Sequence, residues 1–244
     1  MTLNINIYEH IIEQISKGEK LLAVLIDPDK MAIELVGDFV KQVESTVATH
    51  IFVGGSTVAP KVTEPLVLAL KKESALPIIL FPGDVSQISN HADALLFLSL
   101  ISGDNPEYLI GQQVKAVRKL RSSPLEVIPT GYILVENGKP TSVEKVTHTK
   151  PISRTATQTI VDTAKAGEFL GMRLIYLETG SGALHPVPPE IISFVKQDLK
   201  IPLIVGGGIK TKAQLERAYK AGADLVVIGT AFEEDERFFE ELKI

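Results

Sequence analysis

Cysteine is absent from the 244-residue chain. That single absence removes disulfides, thiolate zinc sites and cysteine nucleophiles together. Long apolar runs are missing too: none reaches the ~18 residues that a membrane-spanning helix needs. Positive charge is in short supply, with 25 Lys and Arg against 30 Asp and Glu, for a net charge of −5 and a pI near 5.6. A nucleic-acid groove is therefore not expected, because such a surface must neutralise phosphates with clustered cations. An anionic small molecule would have to be held by main-chain amides, a metal or a few cations. The opening stretch MTLNINIYEHIIEQISKGEK is amphipathic and polar-flanked, without the apolar segment of a signal peptide. A soluble, cytoplasmic protein is expected. The five histidines, His10, His50, His91, His148 and His185, show neither metal-ligand spacing nor a paired nucleophile, and read as surface or locally hydrogen-bonded residues.

What is present is enough for a sizeable core: 45% of residues are hydrophobic and 23% charged, which excludes a mainly disordered chain. Short apolar runs, many of them rich in β-branched residues, recur at 21–26, 50–55, 76–81, 92–100, 125–135, 172–178, 201–207 and 223–229. Near-continuous apolar strands of this kind belong to a parallel sheet buried on both faces. Helical patterns lie between most of them, among others at 29–45, 105–120 and 211–223. Eight strands alternating with helices predict a TIM-type (β/α)8 barrel, with residues 1–244 as one domain. An open, doubly wound sheet is the alternative, since strand number does not prove closure. One interval breaks the pattern. Between the third and fourth runs only PGDVSQISNH (82–91) is available, too little for a full crossover helix with its loops. Either one or two helical turns fit there, or the wall has a gap that admits a long apolar ligand.

In such barrels the active site is built from loops at the C-terminal ends of the strands. The seventh strand ends in IVGGGIKTK (204–212) and the eighth in Gly229-Thr230-Ala231, each followed by a helical segment. Glycines at 206–208 are either a turn or room for an anion on bare amides beside a helix N-terminus. Two such clusters on consecutive strands favour the anion, and loops seven and eight are where these barrels often hold a phosphate. The sixth strand ends in Tyr176-Leu177-Glu178-Thr179-Gly180-Ser181-Gly182-Ala183. Glu178 stands at the mouth, where a carboxylate can accept a hydroxyl proton or bind a polyol, unless it is a solvated residue before a turn. Tyr176 alternates with Glu178 and should share its face, lining the cavity or filling the core. At the first strand end Asp27 is a hard oxygen donor suited to Mg²⁺, or a simple turn former, whereas Asp29 reads as a helix N-cap. The second strand ends in Gly54-Gly55-Ser56-Thr57, glycines and hydroxyls on the same rim. Lys150 and Arg154, between strands five and six, either reach an anionic leaving group or belong to a solvated basic loop. The terminal EEDERFFEELKI reads as an acidic helix turning its two phenylalanines inward.

The set VLIDPDK (24–30), FVGGST (52–57), IYLETGSGA (175–183), IVGGGI (204–209) and VIGTAF (227–232) resembles the geranylgeranylglyceryl phosphate synthases and their bacterial heptaprenylglyceryl phosphate synthase relatives, over essentially the whole chain. The resemblance implies a modified (β/α)8 barrel whose third helix is short or missing. It also implies an Mg²⁺-dependent prenyltransferase of ether-lipid synthesis. That enzyme joins sn-glycerol 1-phosphate to a polyprenyl diphosphate, commonly geranylgeranyl, and releases diphosphate. Carried over by motif, Asp27 and Ser56 are the metal positions. Tyr176, Leu177, Glu178, Thr179, Gly180, Ser181, Gly182, Gly207, Gly208, Gly229 and Thr230 are the glycerol-phosphate site, with Glu178 catalytic. Thr179 departs from the alanine more usual there, a change a loop should tolerate. A homo-oligomer, dimer or hexamer, and at most peripheral membrane contact are also implied. A C20 tail can contribute on the order of 10 kcal/mol by burial, so an apolar groove is expected at the thin wall. Two other readings compete: a phosphosugar isomerase or similar phosphate-binding barrel enzyme, for which Asp27 and Glu178 would be the acid–base pair, and a non-catalytic phosphate-binding barrel.

Overall fold

The computed structural model describes residues 6–230, 232 and 240–243. The apolar runs form eight strands: β1 (Leu21–Ile26), β2 (His50–Val53), β3 (Ile78–Leu80), β4 (Ala94–Leu100), β5 (Glu126–Leu134), β6 (Leu174–Glu178), β7 (Leu203–Gly206) and β8 (Leu225–Ile228). Each pairs in parallel with the next, and β8 returns to β1 with Leu21 opposite Leu225 and Val24 opposite Ile228. The sheet is a closed barrel, not an open one.

Strand alternation sorts the apolar residues into two cores. Ala23, Phe52, Ile79, Leu96, Tyr132, Tyr176 and Val227 point inward and fill the barrel. Their neighbours Val24, Ile51, Leu80, Leu177, Val205 and Val226 point outward against the helices. α1 (Ile7–Ser16) precedes the barrel and closes its N-terminal end. Ile7, Tyr8 and Ile11 join the interior cluster, and the Tyr8 N–H donates to Glu126 Oε1 at 3.2 Å.

The outer layer comprises α2 (Val36–Glu44), α3 (Thr63–Glu73), α4 (Gln112–Leu120), α5 (Ser142–Thr147), α6 (Thr157–Phe169), α7 (Pro189–Asp198) and α8 (Lys212–Ala221). The helix expected over 29–45 begins late, with a 3₁₀ turn at Ile33–Leu35. Its would-be cap is engaged elsewhere: the Asp29 carboxylate accepts the Ala59 N–H at 3.0 and 3.1 Å, tying the β1 loop to the β2 loop. Asp29 is thus a loop clasp and not a helix cap. The segment at 105–120 starts with one π-helical turn, Glu107–Gly111, before α4.

Between β3 and β4 the chain makes only a 3₁₀ turn, Val85–Gln87, capped by Asp84, whose Oδ1 accepts the Ser86 N–H at 2.6 Å. Of the two expectations for this interval, a single helical turn is present and no α-helix covers the barrel flank there. The acidic helix expected over 233–244, with Phe238 and Phe239, lies largely outside the described residues.

Candidate active site

The glycine-rich strand ends meet in one cavity over the C-terminal mouth. It is lined by Asp27 and Lys30 after β1, Gly54–Thr57 after β2, and Tyr176, Glu178 and Gly180–Gly182 from β6 and its loop. Gly207–Lys210 after β7 and Gly229 and Thr230 after β8 complete it. Ser181 Oγ and Thr230 Oγ1 lie 3.1 Å apart, closing the sixth loop onto the eighth.

Glu178 ends β6 pointing inward and is 6% exposed. Its Oε1 accepts the Gly180 N–H at 2.6 Å. Burial lifts its pKa to about 6, opposed by the adjacent Tyr176 hydroxyl and by the Gly180 and Thr179 N–H groups. Tyr176 is fully buried and its hydroxyl has no well-formed hydrogen bond, although it lies beside the Glu178 carboxylate over Gly206. Burial, and then the charge of Glu178, hold the tyrosine pKa well above its usual value. Tyr176 thus both lines the cavity and fills the core.

The triple glycine has a physical reason that its own sequence does not display. A Cβ at 206 would overlap the Tyr176 hydroxyl and sit 2.6 Å from Glu178 Oε2, and one at 207 would strike Glu178 Oε1 and Thr179 Oγ1. Gly207, at φ +81°, also needs the left-handed region. The room left at 206 and 207 is taken by the end of β6. Gly229 differs: a Cβ there would meet nothing nearer than 3.4 Å. The helix expected from Thr211 is present: α8 starts at Lys212, with residues 209–211 between it and Gly208, and its first turn is capped by Thr211, whose Oγ1 accepts the Gln214 N–H at 3.2 Å.

Two residues of the sixth motif stand apart. Leu177 is fully buried with its side chain against the outer helices, away from the cavity, so its side chain is not a substrate contact. Thr179 is likewise fully buried, with its hydroxyl unpartnered, and so does not sit in a tolerant open loop. Lys150 and Arg154 do not line the mouth; Arg154 instead donates to the Pro186 carbonyl at 3.3 Å.

On the opposite rim the Asp27 side chain is 25% exposed, accepts the Asp29 N–H at 3.1 Å and has Lys30 Nζ 3.9 Å from its Oδ2. It lies against the β2 loop: a Cβ on Gly55 would be 3.2 Å from Asp27 Oδ1. That loop is held from the helix-free flank by Gln87, 1% exposed, which donates to the Gly55 carbonyl at 2.9 Å and accepts the Gly55 N–H at 3.3 Å. Among the described residues no three His, Asp or Glu converge on a metal-sized space. One carboxylate beside a hydroxyl suits only a hard cation that draws its other ligands from water and a diphosphate.

A second, apolar groove opens where the helix is missing. Phe81, Val85, Ile88, Leu95, Phe97, Tyr108, Ala116, Val143 and Val146 line it, around about 830 Å³ of empty space that includes open solvent. It shares Gly55, Ser56, Phe81, Tyr132 and Val143 with the polar cavity. Phe81, Tyr132 and Tyr176 stand between the two, with ring centroids 5.2–5.9 Å apart.

Sequence reasoning missed several contributors. Lys30 and Lys210 supply cations to the mouth. Asn137, 2% exposed, donates to the Thr179 carbonyl at 2.7 Å and so shapes the sixth loop from the loop that follows β5. Lys30 and Lys210 sit inside the quoted strand-end motifs, which was signal enough; Asn137 had only a turn-like Asn-Gly to mark it.

Fold and site together define a closed (β/α)8 barrel with a bipartite mouth, amide-rich and polar at the strand ends, apolar on the flank. The chain belongs to the PcrB family, whose model matches residues 13–244. It is 53% identical over 234 residues to the geranylgeranylglyceryl phosphate synthase of Flavobacterium johnsoniae, covering 96% of each chain. To the synthase of the same name from Zunongwangia profunda it is 55% identical over 230 residues, 94% of this chain and 98% of that one. The crystal structure of (S)-3-O-geranylgeranylglyceryl phosphate synthase from Thermoplasma acidophilum, in complex with its substrate sn-glycerol-1-phosphate, superposes with a TM-score of 0.91 at 34% identity, covering 98% of this chain and 96% of that one.

Proposed function

We propose that the protein is a prenyltransferase that joins the 3-hydroxyl of sn-glycerol 1-phosphate to a polyprenyl diphosphate, most readily geranylgeranyl diphosphate, through an ether bond. The observation that carries this reading is the junction of the polar cavity with the apolar groove at Ser56, Phe81 and Tyr132. A phosphosugar isomerase has no use for such a groove.

The phosphate of the acceptor fits the amide-rich loops after β6, β7 and β8, with Ser181, Thr230 and Lys210 at hand. This places its free hydroxyl toward Glu178. The donor's tail lies in the groove and its diphosphate at the Asp27–Ser56 rim, so that the allylic carbon falls near the three-ring cluster. In the reaction the glycerol oxygen bonds to that carbon, the carbon–oxygen bond to diphosphate breaks, and the hydroxyl proton passes to Glu178. Poised near a pKa of 6, Glu178 is ionised at neutral pH and able to take that proton. Fixing two substrates in line can contribute ~7–11 kcal/mol of the barrier reduction. Mg²⁺ held by Asp27 and Ser56 would supply charge neutralisation for the departing diphosphate. Phe169 and Phe194, exposed on neighbouring helices α6 and α7, support a homo-oligomer.

The test is incubation with sn-glycerol 1-phosphate and C15, C20 or C35 prenyl diphosphates, with and without Mg²⁺, followed by mass spectrometry. An ether product is expected. Absence of any prenylated glycerol phosphate with all donors would refute the proposal.

A further inference from the structure

We infer that the outer face of α4 docks on an anionic phospholipid bilayer, so that the groove it borders opens toward the phase in which a long prenyl donor resides. This rests on the prenyl-donor reading of the groove. α4 and the π-helical turn that leads into it have two apolar edges. One, with Tyr108 and Ala116, lines the groove. The other leaves Ile110, Val114 and Val117 at 60%, 65% and 40% exposure, spaced four and three residues apart on one face. A helix that presents such a stripe beside cations lies in a membrane interface with its apolar edge among the acyl chains.

The charge around it fits that partner. Residues 107–154 carry eight Lys or Arg against four Glu, a net +4, which leaves −9 on the rest of a chain whose total is −5. Within this stretch Lys115 pairs with Glu107 and Lys119 donates to the Ile88 carbonyl. Arg118 and Arg121 are exposed at the helix end, Lys145 is exposed on α5, whose Val143 and Val146 line the groove, and Lys139 and Lys150 are exposed in the segments flanking that helix. Cations clustered beside an apolar stripe attract an anionic leaflet. A second copy of the chain meeting α4 about a two-fold axis would instead set like charges against each other.

Co-sedimentation with vesicles tests this directly. The protein is expected to bind phosphatidylcholine vesicles containing about 30% phosphatidylglycerol roughly tenfold or more better than pure phosphatidylcholine, and to be released by high salt. The double substitution Ile110→Asp and Val114→Asp should abolish that binding while leaving turnover of a detergent-dispersed donor unchanged. Failure of the unaltered protein to bind anionic vesicles would overturn the inference. So would equal binding by the variant, or a variant that dissociates an oligomer while keeping its vesicle affinity. The detergent assay reads the transferase reaction alone, so a chemically inactive protein that still binds vesicles would refute the proposed function and not the docking face.

Discussion

Replacing Glu178 with Gln should make the protein more stable and less active at the same time, and the stability gain should depend on pH in a calculable way. Burial raises the Glu178 pKa from 4.5 to about 6. A carboxyl whose folded-state pKa is raised favours the folded state below about pH 4.5, where it is protonated in both states. That contribution is lost as pH climbs through 6, where folding must bury a charge. A shift of one and a half units corresponds to about 2 kcal/mol. The glutamine is never charged and can still accept the Gly180 N–H, so it avoids that penalty. The variant should therefore melt about 4–8 °C above the parent at pH 8, with most of that gain gone at pH 4.5. Its turnover in ether formation should fall by about 10²–10⁴, the usual contribution of a general base. Thermal unfolding by circular dichroism at both pH values, paired with product assays, measures both effects. A stability difference that does not change between pH 4.5 and 8, or near-normal turnover, would refute the reasoning.

Other substitutions probe separate parts of the molecule. Asp27→Asn should remove most Mg²⁺-dependent turnover, and an unchanged metal dependence would exclude Asp27 as a ligand. Thr179→Ala removes a buried hydroxyl without a partner, whose desolvation costs about 1–3 kcal/mol, at the expense of roughly 1 kcal/mol of methyl packing. Denaturant unfolding should find the variant as stable as the parent or up to about 2 kcal/mol more stable. His50, 1% exposed, has its pKa pushed down by burial to about 4, so its contribution is complete above pH 6.5 and lost as pH falls toward 4. That corresponds to about 3 kcal/mol of acid sensitivity, which His50→Leu should remove from the urea-midpoint profile.

Much of this architecture can be read directly from the residues. The run at 21–26 coincides with β1, and each longer run contains its strand, overshooting where apolar residues continue past the ladder, as Leu76 and Pro77 do before β3. A thin flank was legible because ten residues cannot build a full crossover helix with its loops, whereas the choice between one or two helical turns and a gap was not. Strand-end polar residues were legible because closure forces strand ends onto one rim. What escaped depends on contacts distant in sequence. Gly206 and Gly207 are shaped by Tyr176, Glu178 and Thr179, some thirty residues earlier, and neither span announces the other. Leu177 was drawn into the site by its place in a motif, although strand alternation alone puts it on the outer face. The clasp between Asp29 and Ala59 and the hold of Gln87 on Gly55 likewise join segments about thirty residues apart.

The 3₁₀ turn between β3 and β4 serves two masters. Val85 is a plank in the wall that would receive the hydrocarbon tail, while Gln87, two positions on, pins the strand end that carries Ser56. Attempts to widen or lengthen the oily channel by rebuilding Val85 should therefore be felt at the Ser56 rim, where the proposed reaction seats the diphosphate. Selection for longer donors should meet less resistance on the α4 and α5 sides, at Ala116 or Val146, where no such tether has to be kept.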